Sequence, residues 1–119
     1  MENRPKTLIV DIDGTLIHHF GSLSAQIINA PKMLPGVREK FDEWDKLGYR
    51  IILLTGRKES MREATVKQLQ DLHIVYDQLV MGVGGGVRVL INDYKLNSKE
   101  PTAIAVNVER NEGIANINI

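Results

Sequence analysis

Apolar positions along the chain fall into runs of two kinds. Short continuous runs occur at Lys6–Val10, in YRIILLTG, at Leu79–Met81, in VRVLIND and at Ala103–Val108. Runs of that length, bounded by Gly, Pro or carboxylates, predict strands, and Lys6–Val10 has the character of a strand buried on both faces of a parallel sheet. Between them the spacing becomes helical. Pro35-Gly36 opens a helix with Val37, Phe41, Trp44 and Leu47 on one face and Gly48 as its stop. Ser60 and Glu63 have the spacing of a capping box for a second helix, which turns Met61, Thr65, Leu69 and Leu72 inward. The stretch from His18 to Leu34 has weak periodicity and scattered Gly, Ser, Asn and Pro, and reads as an irregular excursion or small hairpin. The run Gly82, Gly84, Gly85, Gly86 fits neither GxGxxG nor a P-loop and reads as a turn between strands.

Strands alternating with helices predict βαβ units and a parallel sheet, whose ligands gather at the carboxyl ends of the strands. Three predicted strand ends carry polar groups: Asp11 and Asp13, then Thr55, then Asn92 and Asp93. That pattern points to one site assembled from distant parts of the chain.

Composition narrows the chemistry. The chain has 119 residues, 43% hydrophobic and 25% charged, which suits one domain over residues 1–119. Fifteen basic residues balance fifteen acidic ones, so nothing marks a dedicated nucleic-acid or membrane-surface binder. There is no cysteine, hence no disulfide, thiolate metal site or cysteine nucleophile, in keeping with a cytoplasmic protein. The MENRPKTL start lacks the apolar core of a signal peptide, and no run is long enough to span a bilayer.

Carboxylates drawn together at strand ends repel one another unless a cation lies between them, and hard oxygens alone suit Mg²⁺. A carboxylate there can attack phosphorus, and a second carboxylate two residues on can carry the proton. Gly14 permits a sharp turn that would bring amide groups toward phosphate oxygens, and the Thr55 hydroxyl is a further donor.

DIDGTL at Asp11–Leu16 resembles motif I, DxDGT, of the haloacid-dehalogenase-like (HAD) phosphatases. LLTGR at Leu53–Arg57 is similar to their motif II, and VLIND at Val89–Asp93 to their motif IV. The resemblance implies a three-layer, Rossmann-like α/β domain with a mostly parallel sheet. It implies Asp11 as nucleophile and metal ligand, and Asp13 as general acid/base with its carbonyl on the metal. Thr55 would bind the phosphoryl group, with Gly14, Gly56 and Arg57 beside it, and Asp93 and Asn92 would complete a Mg²⁺ shell.

Two departures stand out. The lysine of motif III is missing, with Val83 in its region, and Arg88, Lys95, Lys67 and Arg57 are the cations that could replace it. Losing such a group commonly costs ~3 kcal/mol of barrier, about a hundredfold in rate. Asn92 stands where many members have a second acid. These departures keep a second reading open, a catalytically weak phosphate-binding or regulatory subunit.

The intervals Asp13–Thr55 and Thr55–Asp93 leave no room for a cap domain. The chain is thus similar to the capless subgroup, which includes sugar-phosphate phosphatases and proteins of polysaccharide biosynthesis. The resemblance implies a Mg²⁺-dependent phosphomonoesterase acting on a small-molecule phosphate ester, a sugar phosphate. Nucleic-acid and membrane partners are not expected. A homo-oligomer, dimer or tetramer, is expected to shield the open site.

Overall fold

The structure is a computed structural model that describes residues 4–119; the first three residues of the MENRPKTL start lie outside the described residues. Strands β1 (Thr7–Asp11), β2 (Arg50–Leu54) and β3 (Gln78–Val80) form a parallel sheet in the order β1-β2-β3. Val10 lies beside Leu53, and Leu53 beside Leu79. Residues of that parity face the core, where Leu53 is fully buried and Leu8, Val10 and Leu79 pack against the same cluster. On the opposite face Ile9 is 52% exposed, so β1 is covered on one side rather than both.

Among the described residues three α-helices accompany the sheet. Helix α1 (Leu23–Ile28) lies inside the His18–Leu34 excursion, where Ser22 caps it by accepting from the Ala25 amide. The same excursion is pinned as a hairpin-like pair, with His18 N–H donating to Lys32 O and Leu34 N–H to Leu16 O. Helix α2 (Val37–Lys46) starts after Gly36 and buries Val37, Phe41 and Trp44. Burying each such side chain contributes about 1.5–3 kcal/mol. Leu47, expected on that face, is 52% exposed because the helix has already ended there.

Helix α3 (Arg62–Asp71) follows a 3₁₀ turn at Glu59–Met61 and buries Thr65, Gln68 and Leu69. No side chain caps it, so the Ser60–Glu63 spacing does not act as a capping box. Instead Arg62 grips Glu59 at 2.8 and 2.9 Å, and this hydrogen bond holds the Glu59 carboxyl below its ordinary range. Helices α2 and α3 meet where Arg38 donates to the carbonyls of Leu72 and His73.

The expected fourth and fifth strands do not form. Residues 81–119 hold no helix or strand, and Val87, Val89, Leu90 and Ile91 are 61–94% exposed. An apolar run becomes a strand only when an edge accepts it, and here this segment does not pair with β1.

The end of the chain nevertheless returns to the core. Ile114 is 2% exposed, and its N–H donates to Pro35 O. Gly113 has φ +86°, and a Cβ there would collide with the Pro35 carbonyl oxygen. Asn111 N–H donates to Gly14 O, and its side chain accepts from His19 N at 2.7 Å while donating to His19 O.

Candidate active site

The end of β1 is followed at once by a tight turn. The N–H groups of Thr15, Leu16 and Ile17 all point at Ile12 O, at 2.8–3.2 Å, and Gly14 N–H donates to Ile17 O. Ile12, Leu16 and Ile17 are buried and hold the turn from below. The alternation of apolar and polar residues in DIDGTLI therefore sinks three side chains and leaves Asp11 and Asp13 on the accessible side. The amides of Gly14 to Ile17 are consumed inside the turn. They do not form the phosphate cradle expected around Gly14, whose φ of +88° serves the turn itself.

The two acids are held differently. Asp13 accepts from Arg57 Nε at 2.9 Å on Oδ2, and from Arg57 Nη2 and Gln26 Nε2, both at 2.7 Å, on Oδ1. Arg57 is fully buried, and its Nη1 donates to Thr65 Oγ1 and Gln68 Oε1. Gln68 in turn donates to Gln26 O, and Gln26 accepts from the Phe20 amide. The ring Asp13–Arg57–Gln68–Gln26 closes on itself, and no buried side-chain polar atom among the described residues lacks a partner. Buried polar groups tolerate desolvation only when paired in this way.

Asp11 is more open, its side chain 34% exposed. Its Oδ1 accepts from Arg88 Nη1 at 2.9 Å and its Oδ2 from Thr15 Oγ1 at 3.2 Å.

Of the other residues expected at the site, Thr55 is buried at the end of β2 and its hydroxyl accepts the Arg57 N–H. Gly56 lies where a Cβ would press on Gly84 O at 3.3 Å, which ties the β2 end to the glycine run. Arg57 lies inside the protein against Asp13, with its guanidinium shielded from solvent. Arg88 reaches Asp11, so of the four cations weighed for the missing lysine it is the one on the nucleophile-position carboxylate. Lys95 is exposed, its carbonyl closing a turn with Ser98 N–H.

Asn92 donates to Thr102 Oγ1, and the Thr102 hydroxyl donates to Asp93 O. Asn92 and Asp93 are exposed and both tied to Thr102, so the structure does not gather the expected set of Asp11, Asp13, Asn92 and Asp93. Among the described residues no three acidic or histidine side chains gather as a metal site.

The donor chemistry bears directly on Mg²⁺. Both carboxylates offer hard oxygens, but Asp11 Oδ1 is engaged by the Arg88 guanidinium, and the Asp13 carboxylate already accepts three hydrogen bonds from Arg57 and Gln26. As arranged, the residues would hold the ion at Asp11 only after Arg88 is displaced.

Sequence reasoning missed Gln26, Gln68 and Asn111. Gln26 falls in the stretch read as an irregular excursion, and Gln68 looks like an ordinary helix-surface residue until Arg57 is known to be buried beside it. Asn111 lies in a stretch whose register depends on the return to Gly14.

A small parallel α/β core without a cap, bearing a DxDGT turn at the end of its first strand, defines a HAD-like phosphatase domain. Comparison with known proteins narrows the class. Residues 5–85 match the family described as the polynucleotide kinase PNKP phosphatase domain, and the chain belongs to that family. A chain of a Pnkp1/Rnl/Hen1 complex is 32% identical with a TM-score of 0.59, over 71% of this chain and 30% of that one. A chain of the Pnkp1/Rnl/Hen1 RNA repair complex is 29% identical with a TM-score of 0.56, over 80% and 28%. A structural-genomics target from Vibrio cholerae is 25% identical with a TM-score of 0.54, over 74% and 79%. No curated protein matches significantly.

This chain spans about 30% of the length of the two repair-complex relatives. Those relatives overturn the expectation of a site with small-molecule partners and no nucleic acid, because they are parts of an assembly for RNA repair. No helix among the described residues is long and apolar enough to cross a membrane.

Proposed function

We propose that this phosphatase domain removes a terminal phosphate from a polynucleotide strand. The reading is supported by the family to which residues 5–85 belong and by the RNA repair setting of the relatives. The observation that carries the chemistry is the unequal holding of the two acids. Asp11 is half-open and Asp13 is clamped, so they are suited to different tasks.

In this mechanism an Asp11 oxygen attacks phosphorus, and the bond to the leaving ester oxygen breaks. Each Asp11 oxygen has one donor and keeps a lone pair for the attack. Asp13 Oδ1 has two donors and Oδ2 has one, so the proton for the leaving oxygen is carried on Oδ2. Water then attacks the aspartyl phosphate and returns its proton to the same oxygen. The phosphorus–Asp11 bond breaks, and inorganic phosphate leaves.

The narrower sugar-phosphate reading has no residue in its favour and serves as the control. RNA and DNA oligonucleotides phosphorylated at either the 3′ or the 5′ end, and a set of hexose phosphates, are to be compared with and without Mg²⁺. The proposal expects release from one oligonucleotide end, little from the sugars, and loss of turnover in Asp11→Asn. Equal turnover by wild type and Asp11→Asn would sink it.

A second reading, phosphate binding with negligible turnover, is favoured by the Arg88–Asp11 pair, which ties up the nucleophile. Turnover above about 1 s⁻¹ on any of these esters excludes it.

A further inference from the structure

Arg110 lies beyond the family-matched residues and next to the acid turn. Its Cγ runs 3.2 Å, and its Nε 3.7 Å, from where a Gly14 Cβ would stand. The stem thus crosses the turn that carries Asp11 and Asp13, in space that any other residue at position 14 would fill. Asn111 fixes this placement through its bonds to Gly14 O and to both backbone groups of His19. Gly113 and the buried Ile114 clasp the next residues onto Pro35.

The three guanidinium groups near the turn are partnered differently. Arg57 is matched by Asp13, and Arg88 by Asp11. Arg110 is exposed and has no ion pair or hydrogen bond from its guanidinium among the described residues. Its guanidinium therefore stands beside the turn without a carboxylate partner, with Glu109 and Glu112 flanking it in the same segment. A phosphate monoester approaching two carboxylates is repelled unless a cation meets it, and a guanidinium matches two phosphate oxygens at once.

We infer that Arg110 is the phosphate-receiving cation of this site, delivered by the returning segment 109–114 to hold the terminal phosphate against Asp11. The inference rests on the phosphatase reading for what the anion is, but its binding step needs no turnover. In this arrangement the segment beyond the family-matched residues supplies specificity for an anionic end, while the DxDGT turn supplies the chemistry.

The test measures binding of inorganic phosphate by calorimetry to wild type, Arg110→Gln and Arg110→Lys, alongside thermal unfolding and oligonucleotide kinetics. Arg110→Gln is expected to weaken phosphate binding about tenfold or more, the scale of a lost charge-assisted contact. It should raise KM with a smaller change in kcat and leave the melting temperature in place, since the guanidinium is solvent-exposed. Arg110→Lys, which keeps the charge and the stem, should recover part of the affinity. Phosphate affinity unchanged within twofold in Arg110→Gln, or no phosphate binding by wild type, overturns the inference. Arg110-dependent binding without turnover removes the phosphatase reading and leaves this inference standing. Turnover with Arg110-independent binding does the reverse.

Discussion

Arg57, itself fully buried, donates through Nε and Nη2 to the two carboxylate oxygens of the partly buried Asp13, joining residues 44 apart in sequence. The planar fork fixes both the place and the rotation of the acid, which a single point charge could not do. The first acid of the turn is thus held by single bonds from Thr15 and the part-exposed Arg88, and the second by a buried fork.

Removing Arg57 should be costly for that reason. Arg57→Ala leaves Asp13, Thr65 and Gln68 without their partner and is expected to destabilise by about 3–5 kcal/mol, as for a broken buried pair. Arg57→Lys keeps the charge without the fork. It should recover part of the stability but little of the turnover. Urea unfolding and single-turnover rates, measured on both variants, separate the two effects.

Gly113→Ala tests the clasp. The substitution forces a side chain into the Pro35 carbonyl at a backbone angle that L-residues rarely adopt. It is expected to cost more than about 1 kcal/mol. Amide exchange should then speed up at Asn111 and Ile114 before it does in β2. Unchanged protection at those two positions would show that the clasp is not what holds the segment.

Two isoleucines in the strand-poor half should behave oppositely. Ile114→Ala removes a side chain that is 2% exposed and should destabilise by about 2–5 kcal/mol. Ile91→Ser alters one that is 90% exposed and should stay within about 0.5 kcal/mol. A large loss of stability in Ile91→Ser, read from denaturant midpoints, would mean that VRVLIND is packed in solution.

Arg88→Gln probes the cation beside Asp11. Exposed ion pairs contribute about 0–1 kcal/mol, and both partners here are about one-third exposed. A divalent ion displacing Arg88 therefore gives up no more than about fivefold in affinity. Mn²⁺ binding followed by electron paramagnetic resonance should tighten by up to that factor in Arg88→Gln. Weaker Mn²⁺ binding in the variant would show that Arg88 supports the ion rather than competing with it.

The legibility of the sequence follows the range of the forces involved. β1, β2 and α2 were readable because apolar spacing and the Gly36 and Gly48 boundaries are local signals. Helix α1 was missed although Ser22 marks its start, because six residues give too little periodicity to register. VRVLIND has the composition of a strand, but strand formation depends on an edge elsewhere in the chain. Asp11 and Asp13 were legible as a pair from DIDGT. The burial of Arg57 was not, since it depends on Thr65, Gln68 and Gln26 arriving from two helices. Asn92 and Asp93 looked like site residues only on the premise that their segment joins the sheet.

The bond between His19 and Asn111 links residues 92 apart. A ribosome adding roughly 5–20 residues per second makes the acid-bearing turn about 5–20 s before the residue that fastens it. Newborn chains thus pass through an interval in which the core strands can pair while the reactive corner is still loose.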